Sequence, residues 1–131
     1  MTTGLTGLSS VLPIAADVLA WAVVIHLGFD WLLQNEWMAQ NKTSLRHPAA
    51  YVHSGLHTLG LLLIFPWWLA LGVGISHLLI DTRKPVTWWI ETIKQMPPST
   101  PAYVNIEIWL DQIFHFLMLV LAVLLVTSLV S

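Results

Sequence analysis

The sequence predicts an all-α integral membrane protein, a four-helix bundle with its N-terminus and C-terminus outside. Three observations lead to this prediction. Hydrophobic residues make up 56% of the 131 residues and charged residues only 9%, whereas soluble domains average about 25% charged residues. The mean hydropathy is +0.74, and the five basic residues all lie between apolar stretches. This composition excludes an ordinary soluble domain, a disordered segment and a basic nucleic-acid-binding protein.

Four apolar stretches are expected to be membrane spans within a single transmembrane domain, residues 1–131. They lie at about 11–33, 48–65, 67–81 and 103–130. A span takes about 20 apolar residues, so the third is short. Pro48 favours a helix start, and Pro66 ends the second span. We also expect an interfacial helix at about 86–95, with its tryptophans in the headgroup region.

The basic residues predict the orientation of the chain. They follow the first and third spans, at Lys42, Arg46, Arg83, Lys84 and Lys94. Positively charged loops tend to stay on the cytoplasmic side of a membrane. Both segments are therefore expected to be cytoplasmic, which places both termini outside.

Each predicted span carries two ionisable residues four positions apart. The pairs are His26 and Asp30, His53 and His57, His77 and Asp81, and Asp111 and His115. Side chains at positions i and i+4 share a helix face. An ionisable group inside a membrane costs about 2.5–3.5 kcal/mol or more unless it faces the bundle interior and finds a partner. One such pair on every helix predicts a common polar site.

The expected orientation sorts these residues into two layers. The deeper layer contains His26, His57, His77 and His115, and the layer nearer the cytoplasm contains Asp30, His53, Asp81 and Asp111. Cysteine is absent, so imidazoles and carboxylates are the candidate ligands for one or two divalent cations, zinc, iron or manganese. Simpler readings remain for single residues. His26, taken alone, could be a hydrogen-bonded imidazole of the core, and Asp81 could form an ion pair with Arg83 instead of binding metal.

Two further polar residues are candidates for a catalytic role. Gln34 lies one turn beyond Asp30, and Glu107 lies one turn before Asp111. Either could orient ligands or hold a water molecule, and Glu107 could act as a general base. A solvated Glu107 at the membrane surface is an equal alternative. Gln112 is expected to be a supporting or surface group.

Several motifs resemble those of a known family. The first reads His26-x3-Asp30-Trp31-x2-Gln34 and continues as Glu36-Trp37-Met38-Ala39-x-Asn41-Lys42. Later elements are Tyr51 and His53, then His77-x3-Asp81, and finally Asp111-Gln112-x2-His115. Together they resemble a small bacterial membrane family known as domain of unknown function 3307, in which phenylalanine is more common than tryptophan at the position of Trp31.

This resemblance implies a four-helix protein of the bacterial inner membrane with metal-binding character, and it brings no established activity. The helices rich in histidine and aspartate are more distantly similar to inner-membrane proteins described as metal-dependent hydrolases. That second likeness is one of pattern alone.

The leading functional hypothesis is a metal-dependent hydrolase that acts at the cytoplasmic face on a lipid-type or phosphoester substrate. The chain has no Gly-rich phosphate loop and no serine nucleophile motif. The alternatives are a haem- or pigment-ligating protein, an accessory subunit of a larger membrane complex, and a metal-ion transporter. The expected partners are the lipid bilayer and a lipid substrate, without nucleic acid. Whether the chain forms a homo-oligomer or joins a larger complex is left open.

Overall fold

The computed structural model describes the backbone of residues 3–130 and the side chains of residues 13–130. This part of the chain contains helices, turns and loops and no strand. The helices are α1 (Thr3–Leu27), α2 (Glu36–Asn41), α3 (Pro48–Leu61), α4 (Trp67–Asp81), α5 (Lys84–Trp88) and α6 (Tyr103–Val130). Two π-helical turns, Gly28–Leu32 and Trp89–Ile93, continue α1 and α5. The all-α prediction is confirmed.

The four longer helices enclose a common interior. Helix α1 packs against α3 and α6, and α4 also packs against α3 and α6. The apolar core fills one end of this interior, with Ala22, Leu61, Ala70, Val73 and Leu119 among its buried residues. The predicted polar pairs lie toward the other end, because they come after the core residues in α1 and α4 and before them in α3 and α6.

Only two helices are long and apolar enough to cross a membrane, Pro13–Leu32 and Tyr103–Val130, among the residues that the structure describes. Helix α3 has 14 residues and α4 has 15, which gives lengths of only about 21–23 Å at 1.5 Å per residue. A bilayer core is about 30 Å thick. The sequence predicts a second span that extends to residue 65. Helix α3 ends at Leu61, and the apolar residues that follow it form a turn. A four-helix integral membrane bundle is therefore not confirmed.

After the end of the first long helix, the chain turns and leads into α2 beside the bundle. The π-helical turn closes with a hydrogen bond from Leu33 N to Gly28 O (3.0 Å). Asn35 then caps α2, since its Oδ1 accepts from Met38 N (2.9 Å). Helix α2 packs against α3, and it delivers the next residue, Lys42, into the interior.

Helix α5 and its π-helical continuation lie in the region of the predicted interfacial helix. Val86 and Ile90 on this segment are completely buried, and they pack with Ile80 of α4 and Tyr103 of α6. Trp88, by contrast, is 57% exposed. The segment therefore covers one end of α4 and α6 with its apolar face, and its headgroup contact stays a prediction.

Gly74 allows α3 and α4 to approach closely. A Cβ atom on Gly74 would overlap Thr58 Oγ1 of α3, whereas a Cβ on Gly72 would meet nothing within 4 Å. The carbonyl of Gly74 also accepts a hydrogen bond from Ser54 Oγ (2.6 Å). Small residues at such contacts let helix backbones approach each other.

We expect Gly74→Ala to lower the stability of the protein by about 1–3 kcal/mol, because the added methyl group forces the two helices apart. Thermal unfolding in detergent measures the change, and Gly72→Ala is the matched control. Adding Thr58→Ala to Gly74→Ala should restore part of the loss. Equal melting of the Gly74 and Gly72 variants would contradict this account of the α3–α4 contact.

Candidate metal centre

The four histidines of the deeper predicted layer meet in the bundle interior. The rings of His57 and His77 are stacked with centroids 3.7 Å apart, and those of His77 and His115 are 4.3 Å apart. His26 completes the group, with its ring 5.0 Å from His57 and 4.9 Å from His115. All four side chains are buried. Each helix contributes one imidazole because each pair lies at the same depth of the bundle.

Asp30 joins three of the four helices. Its Oδ1 lies 3.0 Å from His53 Nε2 and 3.2 Å from His57 Nε2, both on α3. Its Oδ2 lies 3.3 Å from His26 Nε2 and accepts a hydrogen bond from Gln112 Nε2 of α6 (3.0 Å). Asp30 sits in the π-helical turn, a feature that occurs often at functional sites.

Asp81 makes a second set of contacts on the opposite side of the group. Its Oδ2 lies 3.0 Å from His77 Nε2 and 3.3 Å from His53 Nε2, and its Oδ1 lies 3.6 Å from His115 Nε2. His53 therefore touches both carboxylates. Asp81 is 2% exposed, so it is part of the interior and not a residue of the bundle surface.

Asp111 and His26 both contact Gln112, on one side of the cluster. Asp111 Oδ2 is 3.8 Å from His115 Nδ1 and 3.3 Å from Gln112 Nε2. His26 Nε2 is 3.2 Å from Gln112 Oε1, and an amide oxygen can only accept, so this nitrogen carries the proton. Both residues support the other side chains more directly than they face a shared centre.

Several buried polar atoms of the cluster have no hydrogen-bond partner. They include His77 Nε2, Asp111 Oδ1 and His115 Nε2. Asp81 Oδ1 also lacks a hydrogen bond of good geometry, but it has the Lys42 ammonium 3.2 Å away. His77 Nε2 and Asp81 Oδ2 are only 3.0 Å apart, so they are close but not aligned for a hydrogen bond. Unpaired buried polar groups are rare and each costs about 1–3 kcal/mol. A cation placed among these atoms would satisfy them together.

The tautomer of His115 fits a metal ligand. Its Nδ1 lies 2.7 Å from the backbone oxygen of Asp111, and a carbonyl oxygen accepts only, so Nδ1 donates. In a neutral imidazole the proton on Nδ1 leaves a lone pair on Nε2. Backbone carbonyls commonly orient metal-binding histidines in this way.

Two groups of side chains have ligand atoms close enough to hold a metal ion. Within each group the atoms all lie within 4.8 Å of one another. The first group is Asp30, His53, His57 and His77, and the second is His77, Asp81 and His115. His77 belongs to both, so the two groups share a ligand. Of the eight predicted ligands, His26 and Asp111 lie outside both groups.

Lys42 is a buried component of the cluster, although its place in the sequence predicts only a positive charge in a loop. Its Nζ lies 3.2 Å from Asp81 Oδ1, 3.6 Å from Asp30 Oδ1 and 3.3 Å from His53 Nε2. The side chain is 7% exposed. Its ammonium therefore places one positive charge between the two carboxylates. The sequence feature that could have indicated this role is the position of Lys42 in the family motif that begins at Glu36.

The two candidate catalytic residues differ in position. Gln34 lines a cavity of about 200 Å³ together with Asp30, Lys42 and Arg83, and its Oε1 is buried without a hydrogen-bond partner. Glu107 is paired with Arg83, whose Nη1 lies 3.1 Å from Glu107 Oε2. Gln34 thus faces the space beside the cluster directly, whereas Glu107 reaches it through Arg83. Their catalytic roles stay predictions.

Comparison with known proteins identifies the family and adds no activity. No curated protein and no solved structure matches the chain, and the distant likeness to metal-dependent hydrolases stays a prediction. One family model, described as "Protein of unknown function (DUF3307)", matches residues 18–131. This range contains every residue of the cluster. The chain therefore belongs to the DUF3307 family, as its motifs predicted.

Proposed function

We propose that this chain is a multi-pass protein of the bacterial inner membrane. Its buried His/Asp cluster binds one or two divalent cations, and the centre hydrolyses a lipid-type or phosphoester substrate at the cytoplasmic face. In this proposal α1, α3, α4 and α6 form the membrane bundle with both termini outside. The short α3 and α4 form a hairpin that reaches the outer side through the turn before Trp67.

Exposed apolar surface supports the membrane location. Only 22% of the residues are buried in the apolar windows of the two long helices. Large side chains such as Leu63, Leu117 and Leu121 are exposed on the outside of the bundle. Soluble monomers rarely expose contiguous apolar patches of more than a few hundred Å². Lipid is a suitable solvent for such a surface.

The observation that carries the metal proposal is the set of buried, unpaired ligand atoms. His77 Nε2 and His115 Nε2 lack hydrogen bonds although they lie at the centre of the cluster, close to the Asp81 carboxylate. The mixture of imidazole and carboxylate donors suits zinc, iron or manganese. Such an ion would supply Lewis-acid activation of water and of the attacked ester.

The neighbouring side chains fit a hydrolytic site. Gln34 Oε1 is a free acceptor on the wall of the cavity, so it can orient a water molecule. Lys42 and Arg83 line the same cavity, and both can bind an anionic group such as a phosphate. Glu107 holds the Arg83 guanidinium in place and remains the candidate base.

The packing of the histidines disfavours the haem or pigment alternative. Neighbouring imidazole rings are 3.7–5.0 Å apart across the bundle, so no porphyrin fits between the helices at this level. The cavity beside His26, His57, His77 and His115 measures about 10 Å³, which is about the space of one water molecule.

Metal analysis and a hydrolysis assay on the detergent-purified protein test the proposal. We expect about one or two equivalents of a first-row metal, no visible haem or chlorophyll absorbance, and metal-dependent hydrolysis of a chromogenic phosphate ester. Protein without metal, even after incubation with zinc, iron or manganese, would contradict the metal proposal. Bound metal without hydrolysis of any ester would favour a structural metal, an accessory subunit or a transporter.

A further inference from the structure

An apolar groove on the outside of the bundle leads to the polar cavity beside the cluster. The groove has a volume of about 710 Å³, which is in the range of ligand sites. It lies between α1 with its π-helical turn and α6, and its walls are Val24, Leu27, Gly28, Leu32, Trp109 and Phe116. Gly28 leaves it open, because a Cβ atom there would meet nothing within 4 Å.

The groove and the polar cavity share two residues. Trp31 and Gln112 line both of them. Gln112 is 8% exposed and donates a hydrogen bond to Asp30 (3.0 Å). A molecule with a hydrocarbon chain in the groove would therefore carry its polar end past Gln112 to the edge of the cluster.

The charges of the cavity indicate which polar end fits. Its charged lining residues are Lys42, Arg83, Asp30 and Asp111. Arg83 and Lys42 would repel a cationic group, whereas an anionic group could contact both. A metal ion at Asp30 would offset the negative charges of the aspartates, so the inference rests on the proposed function.

We propose that this chain binds an anionic amphiphile with a phosphate headgroup. The hydrocarbon chain lies in the groove between α1 and α6, and the phosphate lies in the cavity between Arg83 and the metal centre. The site thus selects a lipid phosphate rather than a water-soluble phosphoester. The opening at Gly28 lets the hydrocarbon chain of the amphiphile enter the groove sideways from the bilayer.

A titration with dodecyl phosphate tests this inference, with the metal-loaded protein in dodecyl maltoside and Trp fluorescence as the readout. We expect saturable binding that Gly28→Leu weakens about tenfold or more, because a leucine side chain fills the groove. Gly72→Leu is the matched control, since Gly72 also has free space around its Cβ position but lies on α4.

Arg83→Gln should weaken binding about tenfold through the loss of a charged hydrogen bond. Inorganic phosphate and dodecyltrimethylammonium should each bind at least about tenfold more weakly, because each lacks one of the two contacts.

Several results would overturn the inference. Binding that neither Gly28→Leu nor Gly72→Leu weakens would indicate simple partitioning into the micelle, and equal weakening by both would exclude the groove as the site. Equal binding of inorganic phosphate would exclude the groove, and equal binding of the cationic amphiphile would exclude phosphate recognition. A dimer that Gly28→Leu dissociates would assign the groove to a second copy of the chain.

Metal content measured on the same samples separates this inference from the proposed function. Bound metal and hydrolysis without groove-dependent binding would overturn the lipid inference alone. Groove-dependent binding by a protein that holds no metal would overturn the proposed metal centre, and only the groove and the Arg83 contact of the lipid site would remain.

Discussion

Asp30→Asn and Asp81→Asn are each expected to lower the affinity for metal more than any other single carboxylate replacement. Asparagine keeps the size of the side chain and removes its negative charge. Asp30 belongs to the first group of ligand atoms and Asp81 to the second, so each variant loses an anionic ligand. The loss should exceed the roughly 10- to 100-fold effect of removing a supporting partner. Competition with a calibrated chelator measures the affinity.

The remaining carboxylates give a graded control series. Asp111→Asn should cost about 10- to 100-fold, because Asp111 lies outside both groups and acts on His115. Asp17→Asn should have no effect, since Asp17 is exposed on the same helix as His26. Thermal unfolding checks that each variant is folded. If Asp111→Asn lowered the metal affinity more than Asp30→Asn, the metal centre would lie closer to α6 than proposed. Equal metal affinities in all four variants would exclude a site built on carboxylates.

The predicted site residues could be placed from the sequence because helical geometry fixes their spacing. A histidine and an aspartate four positions apart share a helix face in any α-helix. The depth of each pair followed from the loop positions, and this brought His26, His57, His77 and His115 to one level. Periodicity cannot predict which ligand atoms converge. Only the packing of the helices shows that His26 and Asp111 lie outside both groups of ligand atoms.

Lys42 and Gln112 illustrate two features that spacing does not reveal. Lys42 reaches the interior because the π-helical turn and the cap at Asn35 reverse the chain direction, and neither follows from hydrophobic periodicity. Gln112 adjoins Asp111 in sequence, so the two cannot lie on one narrow face. Both are buried because α6 packs against α1 on one side and α4 on the other.

Helix lengths were the least predictable part of the fold. Apolar residues continue beyond the end of α3, and composition does not distinguish a helix from the turn that follows it. The turn forms because Leu62, Leu63 and Phe65 donate to carbonyls of the last helical residues, and Pro66 then starts the next helix. The resulting short hairpin is the reason that, within residues 13–130, two helices and not four have the full length of a membrane span.

Removal of the Lys42 ammonium is expected to destabilise the metal-free protein strongly and to make its stability depend on metal. The ammonium lies 3.6 Å from Asp30 and 3.2 Å from Asp81, so it contacts both buried carboxylates. Lys42→Met keeps a long unbranched side chain and leaves the two buried carboxylates without this cation. Loss of one partner of a buried ion pair costs about 3–5 kcal/mol, a large share of a typical stability of about 5–15 kcal/mol.

Thermal unfolding with a chelator and with added zinc or manganese measures this effect. In the chelator, Lys42→Met should melt roughly 10–20 °C below the wild type. Added metal should close most of that gap, because a divalent cation supplies the positive charge that the variant lacks. Lys94→Met is the control, since Lys94 is exposed, and it should melt like the wild type in both conditions. If Lys42→Met behaved like Lys94→Met, the ammonium would not balance the carboxylates. If metal left the gap unchanged, the cation and the ammonium would not act on the same two aspartates.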